Sequence, residues 1–443
     1  MIPIYQTTKA EDRATLESLW GGLRLDPREL ALGRGKMGQA ASDVAKILAA
    51  VAQSGDDALV ESCRRFDDPD FTADQIRVGV DEMSHAHARI PGEQRDAIRR
   101  SIAQVREYQA HFLPNVAASL RRPGVELGMR FSPLDSAGLY FPGGKAAYPS
   151  SLIMLAVPAQ VAGVKRIVAC SPPSPYGRSD LVLAVCHELG LRDVFRAGGA
   201  AAIAAMAFGT TTIPAVDKIV GPGNLYVQLA KRLLAGCVGI DAFLGPSEIV
   251  VIADESADER FIAADLIAQS EHDPGRCFLV TPSTDVARRV RQQIIEQSAP
   301  LDRREAIERA MSTYSAAIVT ESMSQAVAWA NRLAAEHVNI QTRDDDAVLR
   351  ELKHAGAVFL GKWSPVAAGD YVAGPSHCLP TNTTARFSSG ISAYEFLKRT
   401  GVARYDRAGL EADAGAIIAM ADAEHLSGHA ASVRIRRAPE PPK

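Results

Sequence analysis

The chain has 443 residues, 47% hydrophobic and 23% charged, a globular composition long enough for two to four packed units and incompatible with intrinsic disorder. Lys and Arg number 49 against 52 Asp and Glu, a net charge of -3, so electrostatics favour neither nucleic acid nor an anionic membrane as partner. The six cysteines, Cys63, Cys170, Cys186, Cys237, Cys277 and Cys378, stand singly without a CxxC, which argues against a disulfide framework or a cysteine-rich zinc site and points to the cytosol.

At the N-terminus charge appears before an apolar signal core can form, so no secretory peptide is expected. Residues 1 to about 130 read as mostly helical, with apolar spacing to match through 42–52, 58–65 and 92–112. Gly33-Arg34-Gly35-Lys36-Met37-Gly38 matches GxGxxG. It lacks the preceding strand that would aim a pyrophosphate at a helix, so it reads as an ordinary loop before a helix at Ser42.

From about 135, short β-branched runs alternate with helical stretches. Strands are predicted at 166–170, 194–196, 218–220, 248–253, 277–281, 316–320, 338–341 and 357–360. Helices are predicted at 180–189, 200–208, 258–272, 284–297, 324–335 and 345–355. Two uncharged stretches, 146–164 and 197–216, are broken by Pro, Gly or Gln and read as core, not membrane spans. Alternation of this kind predicts an α/β protein of two doubly wound, incomplete Rossmann-like parallel-sheet domains with helical N- and C-terminal extensions. The expected division is an extension at 1–29, a discontinuous first domain at 30–135 plus 248–391, a second domain at 136–247, and a helical tail at 392–443. The basic, Pro-rich end, 434–443, is expected to fray.

Three Gly-rich turns could approach a ligand: Tyr140 to Lys145, Gly221-Pro222-Gly223-Asn224, and Gly245-Pro246-Ser247-Glu248. The first two sit at strand-to-helix transitions, where open α/β sheets place ligands; each alone also reads as turn chemistry. Gln269 and His272 share one face of a helix that stops at Asp273-Pro274-Gly275, and read either as metal ligands or as a solvated helix end. Glu336-His337 sets a carboxylate beside an imidazole where a helix meets a strand, suited to acid–base work or to structure. Asp370 and His377 bracket a polar, turn-rich loop. Glu424-His425-Leu426-Ser427-Gly428-His429 spaces two histidines as a zinc pair would, without the Glu of HExxH. His85, His87, His111, His187 and His354 lie in helical, charge-rich surroundings and read as structural.

In order along the chain, the blocks 138–172, 207–227, 245–274, 336–342 and 356–399 resemble histidinol dehydrogenase, with similarity from about residue 20 to 435. The resemblance implies zinc ligation by Gln269, His272, Asp370 and His429, and a catalytic pair in Glu336 and His337. It implies substrate contacts at Ser247, His337, His377 and Glu424 besides the metal ligands, and NAD contacts at Tyr140 and Asn224. It also implies a cytoplasmic, intertwined homodimer whose tail completes the partner's site. The implied reaction takes L-histidinol through L-histidinal to L-histidine with two NAD and one water, as the last step of histidine biosynthesis. Three departures stand out: Ala201 replaces the family's usual Gln at an NAD contact, His425 replaces its usual Gly, and 241–244 is atypical. Rival readings are a paralogous dehydrogenase of another small polar alcohol, a zinc hydrolase, or a non-catalytic binding protein; Glu336 and His337 disfavour the last.

Overall fold

The computed structural model describes residues 1–24, 26–114, 119–143, 147–272 and 275–438. Gly144 and Lys145 of the first turn, Asp273 and Pro274 at the helix stop, and residues 439–443 of the tail lie outside the described residues. In chain order the early strands are β1 (Ile4–Gln6), β2 (Leu120–Arg122), β3 (Val125–Pro133), β4 (Ser136–Tyr140) and β5 (Arg166–Ser171). Then come β6 (Asp193–Arg196), β7 (Lys218–Val220), β8 (Gly239–Ile240), β9 (Glu248–Ala253) and β10 (Arg276–Thr281). The last are β11 (Ala316–Val319), β12 (His337–Gln341), β13 (Ala357–Leu360) and β14 (Leu397–Tyr405).

A six-stranded parallel sheet runs β1-β11-β10-β9-β12-β13, and a five-stranded parallel sheet runs β6-β5-β4-β7-β8. Their strands are nearly continuous apolar runs because helices cover both faces. Along β9, Ile249, Val251 and Ala253 enter one core cluster while Val250 and Ile252 enter the other. Each such aliphatic side chain contributes roughly 1.5–3 kcal/mol through burial. The α/β architecture of two doubly wound parallel sheets is thus present. In each sheet the strand order reverses once, between β9 and β12 and between β4 and β7.

The sequence-based outline is corrected in several places. Residues 1–29 are no mere extension: β1 pairs with β11 at the edge of the six-stranded sheet, and Leu16 and Leu23 of the following helix enter its core. The helices Gly35–Ser54 and Asp56–Phe66 do not join 248–391. Their apolar face, Met37, Ala40, Val44, Leu48, Val51 and Leu59, packs into one cluster with Phe195, Ile203 and Val227 around the five-stranded sheet. The first of these helices starts at Gly35, seven residues before Ser42, since packing overrides the poor helix propensity of Gly35 and Gly38.

Residues 120–133 and 397–405 are strands, not helix. β14 pairs antiparallel with β3 over nine positions, and β3 with β2. Most of β14 is exposed, so it lacks the buried face that would have given a period-two signal. These strands belong to a second compact unit, 113–133 plus 397–443, with the helices Arg407–Ala423 and Ser427–Arg437. The first unit comprises 1–112 and 134–396. Among the described residues no helix is long and apolar enough to cross a membrane.

Candidate active site

Strand starts supply the site. Glu248 opens β9, Arg276 opens β10 and His337 opens β12, and parallel register sets Arg276 opposite Glu248 and His337 opposite Ile249. Glu336, just before β12, is 6% exposed and His337 is 4% exposed. The Glu248 backbone N–H donates to Glu336 Oε2 at 2.9 Å, and the Glu248 carbonyl lies 3.2 Å from His337 Nδ1. The Glu248 carboxylate accepts from Arg276 Nη1 at 2.9 Å and from the Asn382 N–H at 3.1 Å, while Arg276 also donates to Asn382 Oδ1 at 2.8 Å. Asn382 and Thr383 take positive φ of 54° and 63°, a costly backbone held by this network.

Burial shifts the two expected catalytic groups in opposite directions. Removal from water raises the Glu336 carboxyl well above its usual range, against the hydrogen bond from the Glu248 N–H, and the nearby Glu248 and Asp370 add to the rise. Burial lowers His337 to about 4, against the pull of Asp370, so its imidazole is neutral at physiological pH. Because a carbonyl only accepts, Nδ1 carries the His337 proton and Nε2 keeps its lone pair. That Nε2 sits 4.0 Å from Asp370 Oδ1. Burial also pushes Glu248 up to about 7, in opposition to Arg276. The side chain of Ser247, next to Glu248, opposes the rise of the Glu336 carboxyl.

His377 joins the same cluster. Its Nδ1 donates to the Asp370 carbonyl at 2.8 Å, and its Nε2 lies 3.1 Å from the buried Ser151 hydroxyl. Both ring nitrogens are therefore engaged within the chain. His272 is exposed, yet the protein around it lowers its pKa by desolvation while Asp370 opposes the shift. Gln269 is 4% exposed and its Nε2 has no hydrogen-bond partner. An amide turns over readily, so this unsatisfied buried group can present its oxygen to a cation instead. A neutral imidazole, an amide oxygen and a carboxylate suit zinc or a similar divalent ion. Among the described residues no three His, Cys, Asp or Glu groups converge on a metal position. Of the expected ligands in this unit, only His272 and Asp370 are of those types.

Glu424 and His429 belong to the second unit, both exposed. Glu424 caps the helix Arg407–Ala423, and His425 follows with φ of 58°. His425 N–H donates to Asp422 O and Leu426 N–H to Ala421 O, the paired bonds of a Schellman turn whose left-handed position favours Gly.

The expected cofactor contacts lie at the other kind of edge, the carboxyl ends of the five-stranded sheet, where its order reverses. Tyr140 ends β4, and its hydroxyl accepts the Gly199 N–H at 3.2 Å. Asn224 follows β7 and caps the helix Leu225–Leu234, its Oδ1 accepting the Val227 N–H at 3.1 Å. Ala201 is fully buried in the helix Gly199–Phe208. Sequence reasoning missed Glu248 as an anchor, and with it Arg276, Asn382 and Ser151. Two charged residues opening two apolar strands, Glu248 and Arg276, were the available signal.

Residues 33–437 match the family model of histidinol dehydrogenase. The histidinol dehydrogenase of Synechococcus sp. is 45% identical over 398 residues, 89% of this chain and 92% of that protein. The one from Geobacillus kaustophilus is 45% identical over 423 residues, 95% of this chain and 98% of that protein. A crystal structure of histidinol dehydrogenase from Elizabethkingia anophelis is 32% identical, covers 98% of both chains and gives a TM-score of 0.89. Identity at this level along most of the polypeptide, with a backbone that superposes throughout, makes this chain a member of the histidinol dehydrogenase family, an oxidoreductase of histidine biosynthesis.

Proposed function

We propose that the protein oxidises L-histidinol through L-histidinal to L-histidine, using zinc and two NAD, as a cytoplasmic homodimer. The observation that carries the reading is the buried Glu336–His337 pair, whose environments pull the two proton affinities apart. Gln269, His272 and Asp370 would hold the zinc, with His429 of the partner subunit completing the set. When bound, zinc supplies positive charge that fixes the substrate's amine and imidazole, and NAD supplies the hydride acceptor. His337 Nε2, its lone pair free, takes the alcohol proton as the first hydride leaves the carbinol carbon. Glu336, whose desolvated carboxylate binds a proton tightly, then takes one from the water that adds to the aldehyde. Once His337 has released its first proton to solvent, the hydrate gives its second hydride to the second NAD while His337 Nε2 accepts the hydroxyl proton. His377, fixed by Asp370 and Ser151, and Ser247, beside Glu336, line this chemistry. Five of the six free cysteines are buried, in keeping with a reducing compartment.

The test counts NADH formed by zinc-loaded protein. Two per L-histidinol and one per L-histidinal are expected; one per L-histidinol, or activity only on other alcohols, overturns the assignment.

A further inference from the structure

Lys231 and Asp241 form a fully enclosed ion pair, Nζ to Oδ1 at 2.5 Å, with side chains 2% and 0% exposed. Both grip one residue, Gly221, through the two peptide units that flank it. Lys231 Nζ donates to the Gly221 carbonyl at 2.8 Å, and Asp241 Oδ2 accepts the Gly221 N–H at 2.6 Å. Gly221 follows β7 directly at the strand-order reversal, with φ of 126°, and a Cβ there would lie 1.8 Å from the Tyr140 carbonyl oxygen. The clamped residue is therefore pressed against the end of β4, and Asn224 stands three residues on. Removing two charges from water costs several kcal/mol per ion, and an apolar pair of similar volume often serves stability as well or better. Stability alone is thus a poor reason for this pair. What it does that an apolar pair cannot is hold both polar groups of Gly221.

We infer that Lys231 and Asp241 are positioning residues for the cofactor: they fix the Gly221–Asn224 turn against Tyr140 and so set the geometry in which NAD binds. The inference rests on the NAD-dependent reading above. It also gives a role to Asp241, in the segment that departs from the family pattern and before the Gly245 turn. With Ala201 buried and no Gln side chain to help, the turn carries a larger share of cofactor recognition.

The experiment compares the full-length wild type with the double variant Lys231→Met/Asp241→Leu, which removes the clamp without leaving a charge unpaired. Expected is a KM for NAD raised at least about ten-fold, with the KM for histidinol within about two-fold of wild type. A folded double variant with unchanged NAD KM overturns the inference, as does an equal loss in both KM values, which a merely structural pair would give. Asp241→Asn keeps an acceptor for the Gly221 N–H and serves where the double variant does not fold. It should raise the NAD KM several-fold, and no change there also overturns the inference. Equilibrium titration of the wild type with NADH separates the two levels. A wild type that binds no NADH refutes the cofactor reading and the inference together, whereas equal binding by wild type and folded variant refutes the positioning alone.

Discussion

The main chain of Glu248 touches both halves of the Glu336–His337 pair, its N–H on the Glu336 carboxylate at 2.9 Å and its carbonyl 3.2 Å from His337 Nδ1. One residue of β9 thereby fixes the carboxylate's orientation and the imidazole's tautomer on β12. Glu248 makes these contacts through its backbone, so its donor and acceptor stay in place when the pair is substituted, and a replacement that keeps a matching polar group reports on chemistry with limited disturbance of the frame.

Glu336→Gln keeps the size and accepts the Glu248 N–H through its amide oxygen, but cannot take a proton from water. Histidinol binding should be spared while histidinal oxidation slows by on the order of 100-fold or more. Separate steady-state assays with each substrate check this; undiminished histidinal oxidation removes Glu336 from the water step.

Gly369 precedes Asp370 in the short helix Val366–Tyr371, and a Cβ on it would lie 2.4 Å from the Phe359 ring. Gly369→Ala must push that ring or tilt the helix, at a cost of about 1–3 kcal/mol. Because Asp370 moves with the helix, zinc content after dialysis should fall along with stability. Metal analysis beside urea unfolding tests both, and full zinc retention would separate Asp370 from the metal.

His425 occupies the left-handed position of the Schellman turn with an exposed side chain. His425→Gly removes the Cβ penalty and should stabilise the second unit by about 1 kcal/mol, whereas His425→Val should destabilise it. Urea midpoints in the order Gly, His, Val are expected; any other order argues against backbone strain at this residue.

Asp265 is 8% exposed and, among the described residues, accepts only a distant bond from the Val366 N–H at 3.4 Å, so burial raises its carboxyl to about 6. In the unfolded chain the same carboxyl titrates near about 3.9. Between these values the folded state holds the extra proton, so stability falls as pH rises and the full cost of the buried charge stands above about 6. Asp265→Asn should therefore stabilise the protein by about 1–3 kcal/mol near neutrality, an advantage that fades on acidification and is gone below about pH 4. A pH-independent difference between the two proteins contradicts this account.

The parallel strands were legible in the sequence because burial on both faces leaves uninterrupted apolar runs, as in 248–253 and 277–281. β1 was not, since three residues carry no periodicity and pair only through β11. β14 is mostly exposed, and its pairing with β3 depends on a partner almost three hundred positions away. The site divides in the same way. Glu336-His337 stands out as a local dipeptide, and Gln269 with His272 as a helical spacing. Ser151 on His377 comes from 226 residues away and Asn382 on Glu248 from 134, contacts that no local pattern encodes. His425 and His429 stand out in the sequence as a possible zinc pair, but Glu424 as a substrate contact and His429 as a ligand beside Gln269, His272 and Asp370 come only through resemblance to the family, and those assignments belong to the proposal.

The strand-borne candidate residues of the six-stranded sheet, Glu248, Arg276 and His337, lie where its strands begin. Where they end, the Asp254 carboxylate is occupied by the N–H and hydroxyl of Ser256 and by the Arg343 N–H, closing the loops after β9 and β12 on themselves. That rim is accordingly open ground for engineering. New termini from circular permutation, or a reporter spliced beside the exposed Glu255, sit a full strand length from the reacting atoms, and turnover should pass through such surgery unaltered.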